Sequence, residues 1–490
     1  MGRKRNDAAS RRKASAEAKY DQLTDLNDKI FQLSTQIPSA KDLESSCCSI
    51  WELTEQVRSL QTPADPTGVT GTRSRESRLR AFMRWSTENG AKCDKVDLAL
   101  FEGLGVGVQA TQRIEPHEEF MSIPRSMMLT ADTELSSIGE LLRTDPIASQ
   151  MPNIALSLHL LSERFKGSGS YWKPYLDVLP ETYDTPLYFP PNEIALLKGS
   201  PTYEQSIHMQ RNVARQYAYF WSLFINKRRG QYPVMAKNFT YDLYRWAVST
   251  VMTRQNYIRI SGSSVQAVED DSMGHLTLIP LWDMCNHRQG EMLTDYDEAE
   301  NKCHCYADGA YEPGNQVYIC YGFRPNSDFF VHSGFVYPEN PNNVVQLKLG
   351  LAKSDSLVAL RKKTLTELGF GSEDIQVFHL KSGDEVLPDN LLTFLRVFHA
   401  SEAALEEMMA SKDPSKAIRK DNEQKSWSYL KVRCELLLRS YCSTLNDCNS
   451  QQLNAQHVTM IKQLVNEEKS IFYHMIKLCD DQLSASEEPL

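Results

Sequence analysis

The 490-residue sequence contains no run of about 18 consecutive apolar residues, the length that a bilayer-spanning helix needs. Its basic start, with Arg3-Lys-Arg5 and Arg11-Arg-Lys13, has no apolar stretch behind it, so it does not read as a secretory signal. The eleven cysteines are irregularly spaced and odd in number, which argues for reduced thiols and against a disulfide framework. Positive charge is also scarce: 54 Lys and Arg against 63 Asp and Glu leave a net −9, unlike a general nucleic-acid binder. The expectation is a soluble intracellular monomer that needs neither a membrane nor nucleic acid.

What is present is a globular composition, 41% hydrophobic, with room for two or three domains. Residues 1 to about 25 read as a solvated basic tail, with nuclear targeting or loose polyanion contact as the competing readings. Leu23, Leu26, Ile30 and Leu33 give helical spacing within Asp21–Leu60, and the prolines and glycines of Gln61–Thr72 mark a linker. A short helix over Leu79–Asn89 stops at Gly90. Strands follow at Val96–Phe101, Val106–Ala110 and Glu119–Pro124. From Thr130 to Asn256 the period changes to helical, with Thr240 as an N-cap, so this block reads as an insertion within a β domain. Beyond Pro338 come a strand at Val344–Leu349 and helices around Leu357–Leu368, Leu391–Met409, Trp427–Leu445 and Val458–Leu478. Ser484–Leu490 is an acidic tail.

Two apolar runs end in chemistry. Leu278-Ile-Pro-Leu-Trp282 reads as a buried strand that delivers Asp283, Asn286 and His287 to its end. Val317-Tyr-Ile-Cys320 reads as a second strand, ending in a Tyr321-Gly322 turn. Gly105-Val-Gly107 could let a ligand approach the backbone closely. Cys303-His-Cys305 places two thiols on one strand face, which favours structural burial over zinc; no metal is expected.

An Asn-His pair followed by a downstream Tyr-Gly resembles the SET-domain methyltransferases. The likeness becomes specific in Arg75-Glu76, Arg84-Trp85, Glu88-Asn-Gly-Ala91, Arg215-Gln-Tyr-Ala-Tyr-Phe220 and Tyr244-Arg-Trp-Ala-Val248 running into Val251-Met-Thr-Arg-Gln-Asn256. With Trp282–His287, Tyr321-Gly322 and His332-Ser-Gly-Phe335, these phrases are similar to the actin-histidine N-methyltransferase family, close to the Rubisco large-subunit methyltransferase group. The resemblance is dense over residues 75–340 and looser through Leu391–Phe398. It implies an α+β protein: a leading segment (1–72), a SET-domain β core (73–338) with a helical insertion at about 130–256, an all-α substrate-binding domain (339–480), and the tail (481–490). It also implies transfer of a methyl group from S-adenosylmethionine to the tele nitrogen of a histidine of actin. The expected location is the cytoplasm, with a nuclear share left open by the basic tail.

By the same resemblance Arg75, Arg254 and Asn286 hold the amino-acid end of S-adenosylmethionine. Gly105 and Val106 contribute backbone, the His287 backbone meets the adenine edge, Ser333, Gly334 and Phe335 close over the ring, and Asp283 borders the pocket. Leu104 departs from the family's acidic residue. Tyr321 and Asn256 are the catalytic candidates, while Trp282, Arg215, Arg324 and Asn153 would contact the target peptide. Blander roles compete: Arg254 against a helix dipole, Asn256 as a helix C-cap, Tyr321 as a buried strand tyrosine.

Methyl transfer needs an unprotonated lone pair about 3–3.5 Å from the methyl carbon. Histidine, with a pKa near 6.5, is mostly neutral at pH 7; lysine, near 10.4, is not. For histidine the difficulty is to keep the proton on the non-reacting nitrogen, which an amide oxygen at Asn256 would do. A lysine enzyme of the same fold and a non-catalytic actin- or chromatin-binding scaffold are the alternatives.

Overall fold

A computed structural model describes residues 2–61, 75–133, 137–227, 230–258, 275–383, 386–410, 416–417, 419–443 and 453–485, setting aside the side chains of residues 2–13, 16 and 389. The expected linker beyond Gln61 and the last five residues of the acidic tail lie outside these. The chain divides into two compact units. One is Met1–Pro191, Ile207–Phe323 and His332–Gly334; the other is Asn192–Ser206, Arg324–Val331 and Phe335–Leu490.

Among the described residues the first unit carries ten strands: β1 (Val96–Phe101), β2 (Gly105–Ala110), β3 (Glu119–Pro124), β4 (Leu129–Thr130), β5 (Gln255–Ile258), β6 (His275–Leu278), β7 (Asn286–His287), β8 (Thr294–Asp297), β9 (Lys302–Tyr306) and β10 (Gln316–Ile319). They form three small sheets, ordered β1-β2-β10-β7, β3-β9-β8 and β4-β6-β5. β1 and β2 make a hairpin whose turn has Gly103 at φ 73° and Gly105 at φ 76°, conformations that a side chain would resist. β10 runs antiparallel to β2 and parallel to β7, with Tyr318 opposite Asn286 and Ile319 opposite His287. The two expected motif segments are therefore threaded side by side.

The helical insertion leaves from β4 and returns at β5, and both strands hydrogen-bond to β6. Its helices Pro152–Phe165 and Tyr241–Arg254 pack together, and Ile154, Leu158, Leu161, Tyr244, Ala247 and Val251 along them are all buried. The Thr240 hydroxyl accepts the Leu243 N–H at 3.3 Å, the N-cap expected from sequence. Aromatic rings fill the space beside them, with Tyr217 stacked 5.4 Å from Phe239.

Several expectations are corrected. Helix Gly2–Thr35 occupies the stretch read as a tail, and a second helix, Leu43–Leu60, follows a break containing Pro38. Leu26, Ile30, Ile50 and Val57 bury one face of this pair. The strand read through Trp282 stops at Leu278; Pro280 lacks an N–H for a ladder, and Leu281 takes φ 78°, ψ −48°, which turns the chain. Cys303 and Cys305 are both buried on one face of β9, as their alternation suggested.

The second unit is not all-α. Strands β11 (Val344–Gly350) and β12 (Ile375–Lys381) pair antiparallel, burying Val345, Leu347, Leu349, Phe378 and Leu380 on one face. Its boundary also differs from residue 338, since Asn192–Ser206 from within the insertion belongs to it. The Glu193 carboxylate accepts from His457 Nδ1 at 2.6 Å and from the Asn454 N–H at 2.7 Å. Glu468 accepts from the Ser200 and Tyr441 hydroxyls, each at 2.9 Å. The helix read over Leu391–Met409 is two, Asp389–His399 and Glu402–Ala410, parted where Ala400 turns extended.

Candidate functional site

Helix Tyr241–Arg254 ends by presenting Arg254, and the turn after β6 presents Asp283. Arg254 Nη1 donates to the Asp283 carbonyl at 2.6 Å and stands 3.4 Å from the Asp283 carboxylate. Tyr175, fully buried, donates its hydroxyl to the same carboxylate at 2.5 Å. Burial lowers the guanidinium's affinity for its proton, but Asp283 and the neighbouring tyrosines 183 and 175 outweigh it, so the net direction is up. For Asp283 burial pushes the carboxyl above its ordinary range against the pull of Arg254 and Tyr175. Arg254 is thus a buried cation paired mainly with the protein; its helix-end position alone does not explain it.

The pair is incompletely satisfied. Arg254 Nε and Asp283 Oδ1 have no hydrogen-bond partner among the described residues. A buried donor and a buried acceptor left over on these two residues fit the charged amino-acid end of a ligand. Leu281, at positive φ and with its side chain fully buried, sets the turn that aims Asp283. A non-glycine residue there costs of order 1–3 kcal/mol, which the surrounding core must supply.

A chain strip links this pair to the other residues. Asp177–Thr182 lines a cavity of about 350 Å³ together with Arg75, Arg78 and Leu79, and Arg78 donates to the Asp177 carbonyl at 3.0 Å. Tyr183, next along, donates to Thr250 at 2.8 Å and interacts with Arg254. At Asp184-Thr185 the backbone comes close enough that a Cβ on Gly334, itself at φ 76°, would sit 3.0 Å from the Asp184 carbonyl carbon. Arg75, Arg254, Asp283 and Gly334 are therefore all tied to one segment, with Ser333 beside Gly334. Sequence reasoning missed Tyr175 and Tyr183, because nothing local in Trp172-Lys-Pro-Tyr175 signals a distant carboxylate.

On the adjoining sheet Asn286 donates its amide N–H groups to Gln316 Oε1 at 2.7 Å and to the Val106 carbonyl at 3.4 Å. Gly107 is needed for this approach: a Cβ there would lie 2.6 Å from Gln316 Oε1, 2.7 Å from Phe101 and 2.9 Å from Asn286 Nδ2. The space at Gly107 is filled by the protein's own side chains, which corrects the expectation of ligand access at that glycine. At Gly105 a Cβ would meet nothing within 4 Å, and Leu104 is exposed at the hairpin tip.

His287 Nδ1 accepts the Tyr321 N–H at 3.1 Å, and the two rings lie 5.1 Å apart. The Tyr321 hydroxyl donates to the Cys285 carbonyl at 2.7 Å. Burial raises its affinity for its proton further than Arg254 lowers it, so it stays a neutral donor. Asn256 lies on β5 opposite Thr277, past the helix end, and its Oδ1 accepts the Tyr257 N–H at 2.9 Å. One lone pair of that oxygen is committed and a second remains. Trp282 donates its indole N–H to Thr294 at 2.9 Å.

The peptide-contact candidates are dispersed. Arg215 is half-buried on helix Pro201–Trp221 and reaches Asn212 at 3.3 Å; Asn153 is exposed at the start of helix Pro152–Phe165. Arg324 and Phe335 belong to the second unit, where the Arg324 carbonyl accepts from Asn340 and Phe335 stacks 4.9 Å from Phe329.

Residues 352–472 match the family model described as Rubisco LSMT substrate-binding. Among solved structures, the SET domain of LSMT bound to lysine and AdoHcy superposes with TM-score 0.67 at 19% identity, covering 84% of this chain and 93% of that one. Rubisco LSMT bound to AdoMet gives 0.64, also at 19% identity and with the same coverage. These likenesses establish the fold as that of a SET-domain protein. An actin-histidine N-methyltransferase of Gallus gallus is 35% identical over 480 residues, 95% of this chain and 78% of that protein. Its counterpart in Mus musculus is 36% identical over 446 residues, 89% and 73% of the two chains. With identity at that level sustained across almost the whole sequence, the chain belongs to the actin-histidine N-methyltransferase family.

Proposed function

We propose that this protein transfers the methyl group of S-adenosylmethionine to a histidine nitrogen of actin. The observation that carries the cofactor reading is that Arg254 Nε and Asp283 Oδ1, a buried donor and a buried acceptor on two paired residues, have no hydrogen-bond partner among the described residues. Arg254 and Arg75 would hold the carboxylate, Asn286 the ammonium, and the backbone at Gly105, Val106 and His287 the nucleoside. Ser333 and Gly334 would cover the ring. When bound, S-adenosylmethionine supplies an electrophilic methyl carbon on a sulfonium.

The chain's own residues then have to orient an imidazole. Asn256 Oδ1, with one lone pair still open, would accept the N–H of the non-reacting nitrogen and leave the other lone pair facing the methyl group. Tyr321 would wall the imidazole, its neutral hydroxyl anchored on Cys285. A neutral histidine is already the nucleophile at pH 7, so no base is needed before the attack; the methylimidazolium formed then gives its N–H proton to solvent, its pKa being close to that of imidazole. The relatives' names supply histidine and actin as the target. The test is incubation with unmethylated recombinant actin and isotopically labelled S-adenosylmethionine, followed by mass spectrometric localisation of the label. Label on a single histidine supports the reading; label on lysine, or none, overturns it.

A further inference from the structure

Asn286 has an ambiguity that its own side chain cannot resolve. An amide presents a carbonyl on one side and two N–H donors on the other, and a half turn about its last bond exchanges them. Facing a ligand ammonium, only the carbonyl orientation is attractive. Both acceptors around Asn286, Gln316 Oε1 at 2.7 Å and the Val106 carbonyl at 3.4 Å, are on its N–H side. No group among the described residues donates to its Oδ1.

Val106 O can only accept, but Gln316 could flip as well. A flip of Gln316 alone would set its N–H groups against those of Asn286, and a flip of both amides would set Asn286 Oδ1 against the Val106 carbonyl, so the two acceptors together hold one orientation. Gln316 and Tyr318 lie on the same face of β10, and Gln316 Nε2 donates to the Tyr318 hydroxyl at 3.0 Å. The Tyr318 ring is in turn covered by the Arg288 guanidinium at 5.2 Å, and Arg288 is fixed by Asp308 at 2.7 Å and the Tyr311 hydroxyl at 2.9 Å. Gln316 is nearly buried, and Gly107 leaves it room for only this approach.

We propose that Gln316 is a positioning residue that fixes the orientation of Asn286, so that Asn286 presents its carbonyl oxygen to the α-ammonium of S-adenosylmethionine. This rests on the cofactor reading above and adds a residue and a selectivity to it. Gln316 does not itself touch the ligand; it acts through Asn286, with Tyr318 and Arg288 packed behind it.

Calorimetry with S-adenosylhomocysteine and with its analogue lacking the α-amino group tests it. The wild type should prefer the amino form by about tenfold to a hundredfold, the range for a charge-assisted hydrogen bond. Gln316→Met, which keeps the length and removes both hydrogen bonds, should reduce that preference to below about threefold. Gln316→Glu keeps an acceptor toward Asn286 and should retain it. Should the methionine variant not fold, Tyr318→Phe, which removes the group that places the Gln316 side chain, should narrow the preference in the same direction. An unchanged amino-group preference in Gln316→Met and Tyr318→Phe overturns the proposal while leaving the cofactor reading intact. Failure of the wild type to bind S-adenosylhomocysteine at all overturns both.

Discussion

A single amide oxygen decides what this site can accept. Asn256 Oδ1 already takes the Tyr257 N–H, so a bound imidazole would use its second lone pair. Replacing it with Phe removes the acceptor and leaves a buried imidazole N–H unpaired, about 1–3 kcal/mol. The kcat/KM ratio on matched histidine and lysine peptides should therefore move toward lysine; a ratio that stays put would remove Asn256 from the selectivity. Tyr321→Phe keeps the ring 5.1 Å from His287 but strands the Cys285 carbonyl. Turnover should fall at least about tenfold, roughly 1.4 kcal/mol of barrier, with S-adenosylhomocysteine affinity nearly retained. Equal turnover would confine the hydroxyl to a structural role. Arg254→Ala should cost more than affinity. With the guanidinium gone, the Asp283 carboxylate stays buried without its cation, so both cofactor binding and melting temperature should drop. Normal melting with normal affinity would contradict the pairing described here.

At the level of elements, the critical joint is where β2, β10 and β7 meet, because there the backbone itself makes room. Gly107→Ala would put a methyl 2.6 Å from Gln316 Oε1 and 2.9 Å from Asn286 Nδ2. The strands must shift, costing about 1–3 kcal/mol, and cofactor affinity should fall with stability. Thermal melts and calorimetry on the same preparation check both, and an unaffected affinity would show that Asn286 is not held through this contact. The sequence already contained β1, β2, β3 and the Thr240 cap, since each rests on local alternation, glycine turns or a cap residue. It did not contain the end of β6. Five apolar residues in a row extend a strand on paper, whereas Pro280 and the positive φ of Leu281 end it. β12 was equally hidden, because Ile375, Val377 and His379 face outward and only its pairing with β11 buries Phe378 and Leu380. Arg254, Asp283 and Asn286 were legible because they sit in dense motifs. Tyr175, Tyr183 and Gln316 were not, since their partners lie 108, 71 and 30 residues away and only the fold brings them in.

For the whole molecule, the second unit should carry a pH response of its own. Burial pushes the Glu468 carboxyl up to about 7, against the hydrogen bonds from Ser200, Tyr441 and Thr202. Around it stand Tyr441, with Lys469 over its ring, and Glu467, held by the Asn326 and Asn343 side chains. A carboxyl whose folded pKa exceeds its unfolded value near 4.3 stabilises fully below that value, and the benefit is lost as pH rises through about 7. Glu468→Gln removes the titration, so it should slow hydrogen exchange in helix Ala455–Ala485 at pH 8 relative to wild type and have little effect near pH 5. An equal effect at both would rule out Glu468 as the source.

The hydrogen bond between Glu193 and His457 also has a consequence for synthesis. The two residues are 264 positions apart, and at about 5–20 residues per second the ribosome needs roughly 13 to 53 s to go from one to the other. Throughout that interval Asn192–Ser206 has been made and its partners have not, so Glu193 and Ser200 must keep their water. The SET-fold strands can pair in the meantime, yet the second unit closes only after nearly the last helix has emerged. A chain that ends anywhere before Asn454 would carry an insertion whose Glu193 and Ser200 lack the side-chain and backbone partners described above.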